Sequence, residues 1–377
     1  MRAGSRGIHR ESPLTVNHPK NNDRLSMRSV MFAGRRFRPL RLLAVSLALS
    51  SHATSGADLQ AAIPALNREA ARVELGKKLF FDPILSSDRS VSCASCHKPE
   101  RAFADDAAVS RGVGGATGTR NTPTLMHIAG RTSMFWDGRA ETLEDQAIFP
   151  IENPLEMNLP IAEAIQRLQA DDDYRARFTA AFDGQITART IGRALAAFEK
   201  TLESYDSPYD RYNLGDDNAI SASARRGREL FIGKAKCADC HSGEHFTSDR
   251  FRNIGLYDAK TLTDAGRGAI TGNPEDEGQF KVPTLRNVAV TAPYMHNGMF
   301  STLREVIEYY NEPDAVVPGS KGRDASMNEP LRLSEQEIAD IENFLLSLTD
   351  DQFSAAAPAS VSMTTPSSVA PRAADDR

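Results

Sequence analysis

Apolar positions recur at helical spacing in several stretches of the chain, and few stretches alternate as a half-buried strand would. Val73, Leu75 and Leu79 mark a segment running to about Phe81, with Asn67 placed to cap it. Ile191, Leu195, Phe198 and Leu202 repeat the same spacing further on. Ser334 and Glu337 form a capping box ahead of Ile338, Ile341, Leu345 and Leu348. The pattern predicts an all-α protein. The segment 206–223, rich in Asp, Asn and Ser, predicts a linker between helical domains over 58–205 and 224–353. From 354 to 377 the chain is Ala, Ser, Pro and Thr without periodicity, which predicts a disordered tail.

The first 57 residues differ from the rest. Arg35, Arg36, Arg38 and Arg41 precede the apolar run Leu42–Leu49, and small residues follow through Ala57. That order matches a signal peptide over 1–57, with Met27 or Met31 as alternative starts of ordinary length. The apolar run is too short to span a bilayer, and no later segment is long enough. A periplasmic address without a membrane span is the expectation. The leader also hides the charge of the body: formal charge is −5 overall, while residues 58–377 alone come to −13. So acidic a body argues against nucleic acid as the main partner. At 377 residues with 40% hydrophobic positions, the chain can build two cores.

All four cysteines fall into one repeated pattern, Cys93-Ala94-Ser95-Cys96-His97 and Cys237-Ala238-Asp239-Cys240-His241. Two thiols one helical turn apart can add to the two vinyl groups of one porphyrin, and the adjacent histidine can then take the iron. A redox dithiol or a zinc site would not need histidine after the second cysteine in both copies. Two covalently bound haem c groups follow. The surroundings repeat as well. Gly76–Phe81 and Gly227–Ile232 precede the two motifs. At a fixed offset of 160, Pro123-Thr124-Leu125 matches Pro283-Thr284-Leu285, and Thr142-Leu143 matches Thr302-Leu303. An internal duplication, one haem per copy, is the natural reading.

The offset compares the far sides of the two irons. Tyr310 in the second copy matches Pro150 in the first. Proline has no side-chain donor and would leave the first iron open, whereas a tyrosine phenolate can bind iron. A tyrosine on an apolar stripe is, taken alone, more often core than ligand. Gln146 and Glu156 lie near Pro150. A carboxylate can move a proton between peroxide oxygens, and an amide can polarise the bond between them. Both residues also suit a solvated surface. Trp136, the only tryptophan, suits a core anchor.

The runs LGKKLFFDPILSSDRSVSCASCH, GTRNTPTL, FWDGRAETLEDQA, NPLEM, FKVPTLRNVAVTAPYMHNG and TLREVIEYYN together resemble the bacterial di-haem cytochrome c peroxidases and their MauG relatives. The resemblance covers about Val73 to Leu348. It implies two cytochrome-c-like α domains facing each other, with one calcium ion between them held by Asn121, Thr291 and Pro293. It makes His97 proximal to the peroxidatic haem and His241 proximal to an electron-transfer haem. Gln146, Pro150 and Glu156 then fall on the distal pocket, and Trp136 relays electrons between the haems. Tyr310 stands where typical peroxidases of the family have a methionine ligand and MauG-type members have tyrosine. The loop Asp105–Arg120 lacks the histidine that blocks the peroxidatic iron in many members, with His127 as a possible substitute. The implied activity is reduction of hydrogen peroxide to water with electrons from a small periplasmic donor, a cytochrome c or a cupredoxin. Two alternatives stand beside it: MauG-like oxidation of a protein substrate, and electron transfer without peroxide chemistry.

Overall fold

Residues 56–357 are described in the computed structural model. All but the last two positions of the expected leader, and the tail from 358 onward, lie outside the described residues. The first helix runs from Gly56 to Phe81. Asn67 therefore sits inside a helix and does not cap it. The helix continues through the Ala-rich turns ahead of it in spite of Pro64, which has no N–H to give to the Gln60 carbonyl.

Two helix pairs organise the molecule. Helix Gly56–Phe81 packs on helix Ala188–Glu199, and helix Ala222–Ile232 packs on helix Glu335–Leu346. Capping boxes start the second member of each pair, at Thr187 and at Ser334 with Glu337. Each crossing is made at a glycine, Gly76 against the Ala194 carbonyl and Gly227 against the Asp340 carbonyl. Beside each crossing lies an aromatic trio. Phe80, Phe103 and Phe198 have ring centroids 5.1–6.4 Å apart; Phe231, Phe246 and Phe344 stand at 5.2–6.3 Å. Each trio belongs to its own core, one built on Leu75, Leu79 and Ile191, the other on Ile338, Ile341 and Leu348. Burial of this apolar surface, at roughly 25 cal/mol per Å², is what holds each lobe together.

The offset of 160 is visible in backbone detail. Bridge Met134–Ala140 is repeated by Tyr294–Phe300, and Thr142 and Thr302 both cap helices. The copies then diverge. The second continues as one helix, Leu303–Asn311, whereas the first breaks into Leu143–Gln146 and Phe149–Glu152. Pro150 lacks the N–H that a continuous helix would need there. Among the described residues the only paired strands are Phe251–Arg252 and Phe280–Lys281.

Segment 206–223 is more structured than its polarity suggests. It carries helix Pro208–Asn213, capped by Ser207. Tyr209 is buried against Phe246 and Phe344, at 5.3 and 5.5 Å, and Asp210 pairs with Arg286 at 3.0 Å. Past Phe353, Ala357 still packs against both cores.

Candidate functional site

Each lobe encloses a largely apolar cavity, of about 240 Å³ in the first and 230 Å³ in the second. Cys93–Cys96 form a single helical turn ending at His97, and Cys237–Asp239 form a tighter turn before Cys240 and His241. Both cysteine pairs and both histidines border their own cavity. The His97 Nδ1 meets the Phe103 carbonyl at 2.9 Å and the His241 Nδ1 meets the Phe246 carbonyl at 3.1 Å. That contact fixes the ring and leaves Nε2 for iron. Burial holds both imidazoles below the usual histidine range, in the neutral form that binds metal. Burial also pushes the Cys93 thiol up, and Cys237 to about 12. Such thiols are not activated nucleophiles. No group of three or more metal-ligating side chains occurs among the described residues. Two thiols and an oriented imidazole on an apolar cavity fit covalent haem in each lobe.

Gln146, Pro150 and Glu156, three sequence candidates, line the same cavity as His97. The Glu156 Oε1 accepts a hydrogen bond from Asn153 Nδ2 at 2.7 Å. Burial raises its carboxyl above the ordinary range, against the opposing effects of Asn153 and Arg139. In the second lobe Tyr310 lines the cavity with His241. Its neighbour Tyr309 turns away and donates to the Ile254 carbonyl at 2.6 Å. Burial pushes the Tyr310 phenol up as well, so only a strong Lewis acid would draw off its proton. His127 borders neither cavity; it is buried against the rings of His245 and Tyr205, at 4.9 and 5.0 Å.

Trp136 lines both cavities. Its indole Nε1 donates to the Asn121 carbonyl at 2.9 Å, and its own carbonyl accepts from the Lys281 N–H at 2.8 Å. Asn121 also borders both cavities and gives Nδ2 to the Ala107 and Ala108 carbonyls, each at 3.2 Å. Its Oδ1 is left as an oxygen donor. Thr291 and Pro293 border the second cavity with it, an oxygen-only set compatible with calcium.

Two buried ionisable groups were not singled out by sequence. Glu199 borders the first cavity with Oε2 unpartnered, and burial pushes it up to about 8. Matching Phe198 to Phe344 pairs it with Leu345, which borders the second cavity. Lys281 is the other, inside the recognisable run FKVPTLRN.

Comparison with known proteins agrees with this geometry. The di-haem cytochrome c peroxidase family model matches residues 70–218 and the cytochrome c model matches 224–349. The methylamine utilization protein MauG of Methylorubrum extorquens is 42% identical, over 74% of this chain and 78% of its own. The cytochrome c551 peroxidase of Nitrosomonas europaea is 36% identical, over 75% and 81%. A solved MauG-like protein associated with microbial copper homeostasis superposes with a TM-score of 0.68 at 36% identity, over 75% of this chain and 92% of that one. With its duplicated lobes and paired attachment motifs, the chain belongs to the di-haem cytochrome c peroxidase (MauG) family, oxidoreductases that carry two haem c groups and use peroxide.

Proposed function

We propose that the protein is an exported, periplasmic peroxidase that reduces hydrogen peroxide to water in its first cavity, using electrons delivered by a small redox protein. The observation that carries this reading is the asymmetry of two otherwise matching cavities: Pro150 faces one and Tyr310 the other. When bound, the two haems supply the electron exchange with peroxide and with each other. His97 and His241 would hold the irons through Nε2, and Tyr310, which lines the second cavity with His241, would hold the iron there as well. Glu156 takes a proton from one peroxide oxygen and returns it to the other, so that one oxygen leaves as water. Gln146 offers its amide N–H to the oxygen on which charge develops. Trp136 stands between the cavities as the relay. A calcium ion on Asn121, Thr291 and Pro293 would add a fixed charge beside that relay.

The second reading, peroxide-driven oxidation of residues in a protein substrate, is supported by Tyr310 and by the identity with MauG. Both readings share an open first site. Adding stoichiometric peroxide to the fully oxidised protein should change its visible and near-infrared spectrum at once. A protein inert until one haem is reduced would return the reading to a peroxidase blocked at rest. A carrier without peroxide chemistry would respond in neither state.

Tyr310 has its own test. Tyr310→Met should raise the potential of the second haem by roughly 0.1–0.3 V, within the range that axial ligands span, and give that haem a low-spin His/Met spectrum. An unchanged spectrum would remove Tyr310 from the iron.

A further inference from the structure

The wall of the first cavity carries four cations, Arg120, Arg131, Arg139 and Lys281, and they are not equally neutralised. Arg120 binds Asp264 through two nitrogens, at 2.7 and 2.8 Å, and also binds Asp137. Arg139 meets both Asp137 oxygens, at 3.0 and 3.1 Å. Arg131 and Lys281 share a single carboxylate, Asp249, whose Oδ1 lies 3.7 and 3.8 Å away, beyond hydrogen-bond reach. Its other oxygen is taken by the Thr132 N–H and hydroxyl. Otherwise Lys281 has only the Ser133 carbonyl, at 2.6 Å, and Arg131 the His127 carbonyl, at 3.1 Å.

Both side chains are buried, Arg131 at 10% exposure and Lys281 at 13%. Two buried cations against one carboxylate leave a net positive charge where water cannot screen it, which is costly unless an anion joins them. Burial accordingly holds Lys281 down at about 8, whereas the fully paired Arg120 is pushed up. Lys281 enters from the Phe280–Lys281 strand and borders both cavities beside Trp136. An anion that meets it therefore stands at the part of the first cavity that Lys281 and Trp136 share with the second.

We propose that Lys281, seconded by Arg131, is the binding site for a carboxylate of the haem in the first cavity. A haem fixed through its vinyl groups at Cys93 and Cys96 has two propionates as its only anionic substituents, on the edge opposite the thioethers. One of them completes the charge balance that Asp249 leaves open. The ammonium keeps that propionate ionised and, as a buried positive charge near the ring, favours reduced over oxidised iron. The inference rests on the reading that the first cavity holds haem.

The test uses the holoprotein and its Lys281→Met and Lys281→Arg variants, with covalent haem counted and the potential of the first haem followed from pH 5 to 9. In Lys281→Met with both haems attached, the potential should fall and the potential-linked ionisation should move up by about one pH unit. Lys281→Arg should restore both. Should Lys281→Met lose haem, Arg131→Gln should show the same shifts more weakly. Unchanged potentials and pH profile in a di-haem Lys281→Met protein would overturn the assignment, as would a wild-type potential that responds to added phosphate, which would mark a site for free anions. A wild type lacking haem on Cys93 and Cys96 would instead overturn the reading of the cavity.

Discussion

Glu156→Gln should retain both haems and slow peroxide cleavage by about 10²–10⁴-fold, the usual contribution of a positioned acid–base group. The change is conservative in shape. The glutamine oxygen can still accept from Asn153, which now holds Oε1 at 2.7 Å, while the group loses the ability to accept and return a proton. A pH signature should accompany the loss. Only the ionised carboxylate can take the first proton, so the rate should fall as pH drops through the carboxyl's pKa. Burial has raised that pKa, so the fall should begin above the ordinary carboxylate range, near 4.3 in peptides, and should vanish in the glutamine variant. Stopped-flow absorbance on the oxidised protein reads both effects. Wild-type rates in Glu156→Gln would remove the residue from the chemistry, and a preserved acid limb would assign that limb to another group.

The sequence was most informative where chemistry depends on covalent spacing. Attachment motifs and a gapless offset survive folding unchanged, so His97, His241, Pro150 and Tyr310 could be paired across the copies before any contact was known. The start of the first helix is not legible at Asn67, because the helix runs on past both Asn67 and Pro64 to Gly56. Segment 206–223 has the polar composition of a linker, but several of its polar residues have partners within the fold. Ser207 caps a helix, Asp210 neutralises Arg286, and Tyr209 between them is buried. Glu199 and Lys281 escaped notice for a related reason: their significance lies in missing partners, and a missing partner is a property of packing. The position of Trp136 between two cavities is likewise a tertiary fact, which no spacing along the chain encodes.

Gly76→Ala should cost the first lobe about 3 kcal/mol or more, at or beyond the upper end of ordinary overpacking, and Gly227→Ala should do the same to the second. The reason is a backbone contact that cannot relax locally. A Cβ on Gly76 would lie 1.8 Å from the Ala194 oxygen and 2.6 Å from its carbonyl carbon. One on Gly227 would lie 1.9 and 2.4 Å from the same atoms of Asp340. Neither obstacle is a side chain that can swing away, so the helices must separate, and each separation opens a haem cavity. Leu195 and Glu199 border the first cavity from the helix that Gly76 touches, and Leu345 borders the second from the helix that Gly227 touches. The damage should therefore be lobe-specific: Gly76→Ala should perturb the spectrum of the haem on Cys93 and Cys96 first, Gly227→Ala that of the haem on Cys237 and Cys240. Leu214→Ala is the control, since Leu214 is 88% exposed and its loss should shift stability by no more than about 0.5 kcal/mol. Denaturant unfolding followed by circular dichroism and haem absorbance separates these cases. An unfolding midpoint for Gly76→Ala equal to that of the control would mean that the two helices do not cross at Gly76, and with it the duplicated frame that sets the two cavities side by side would fail.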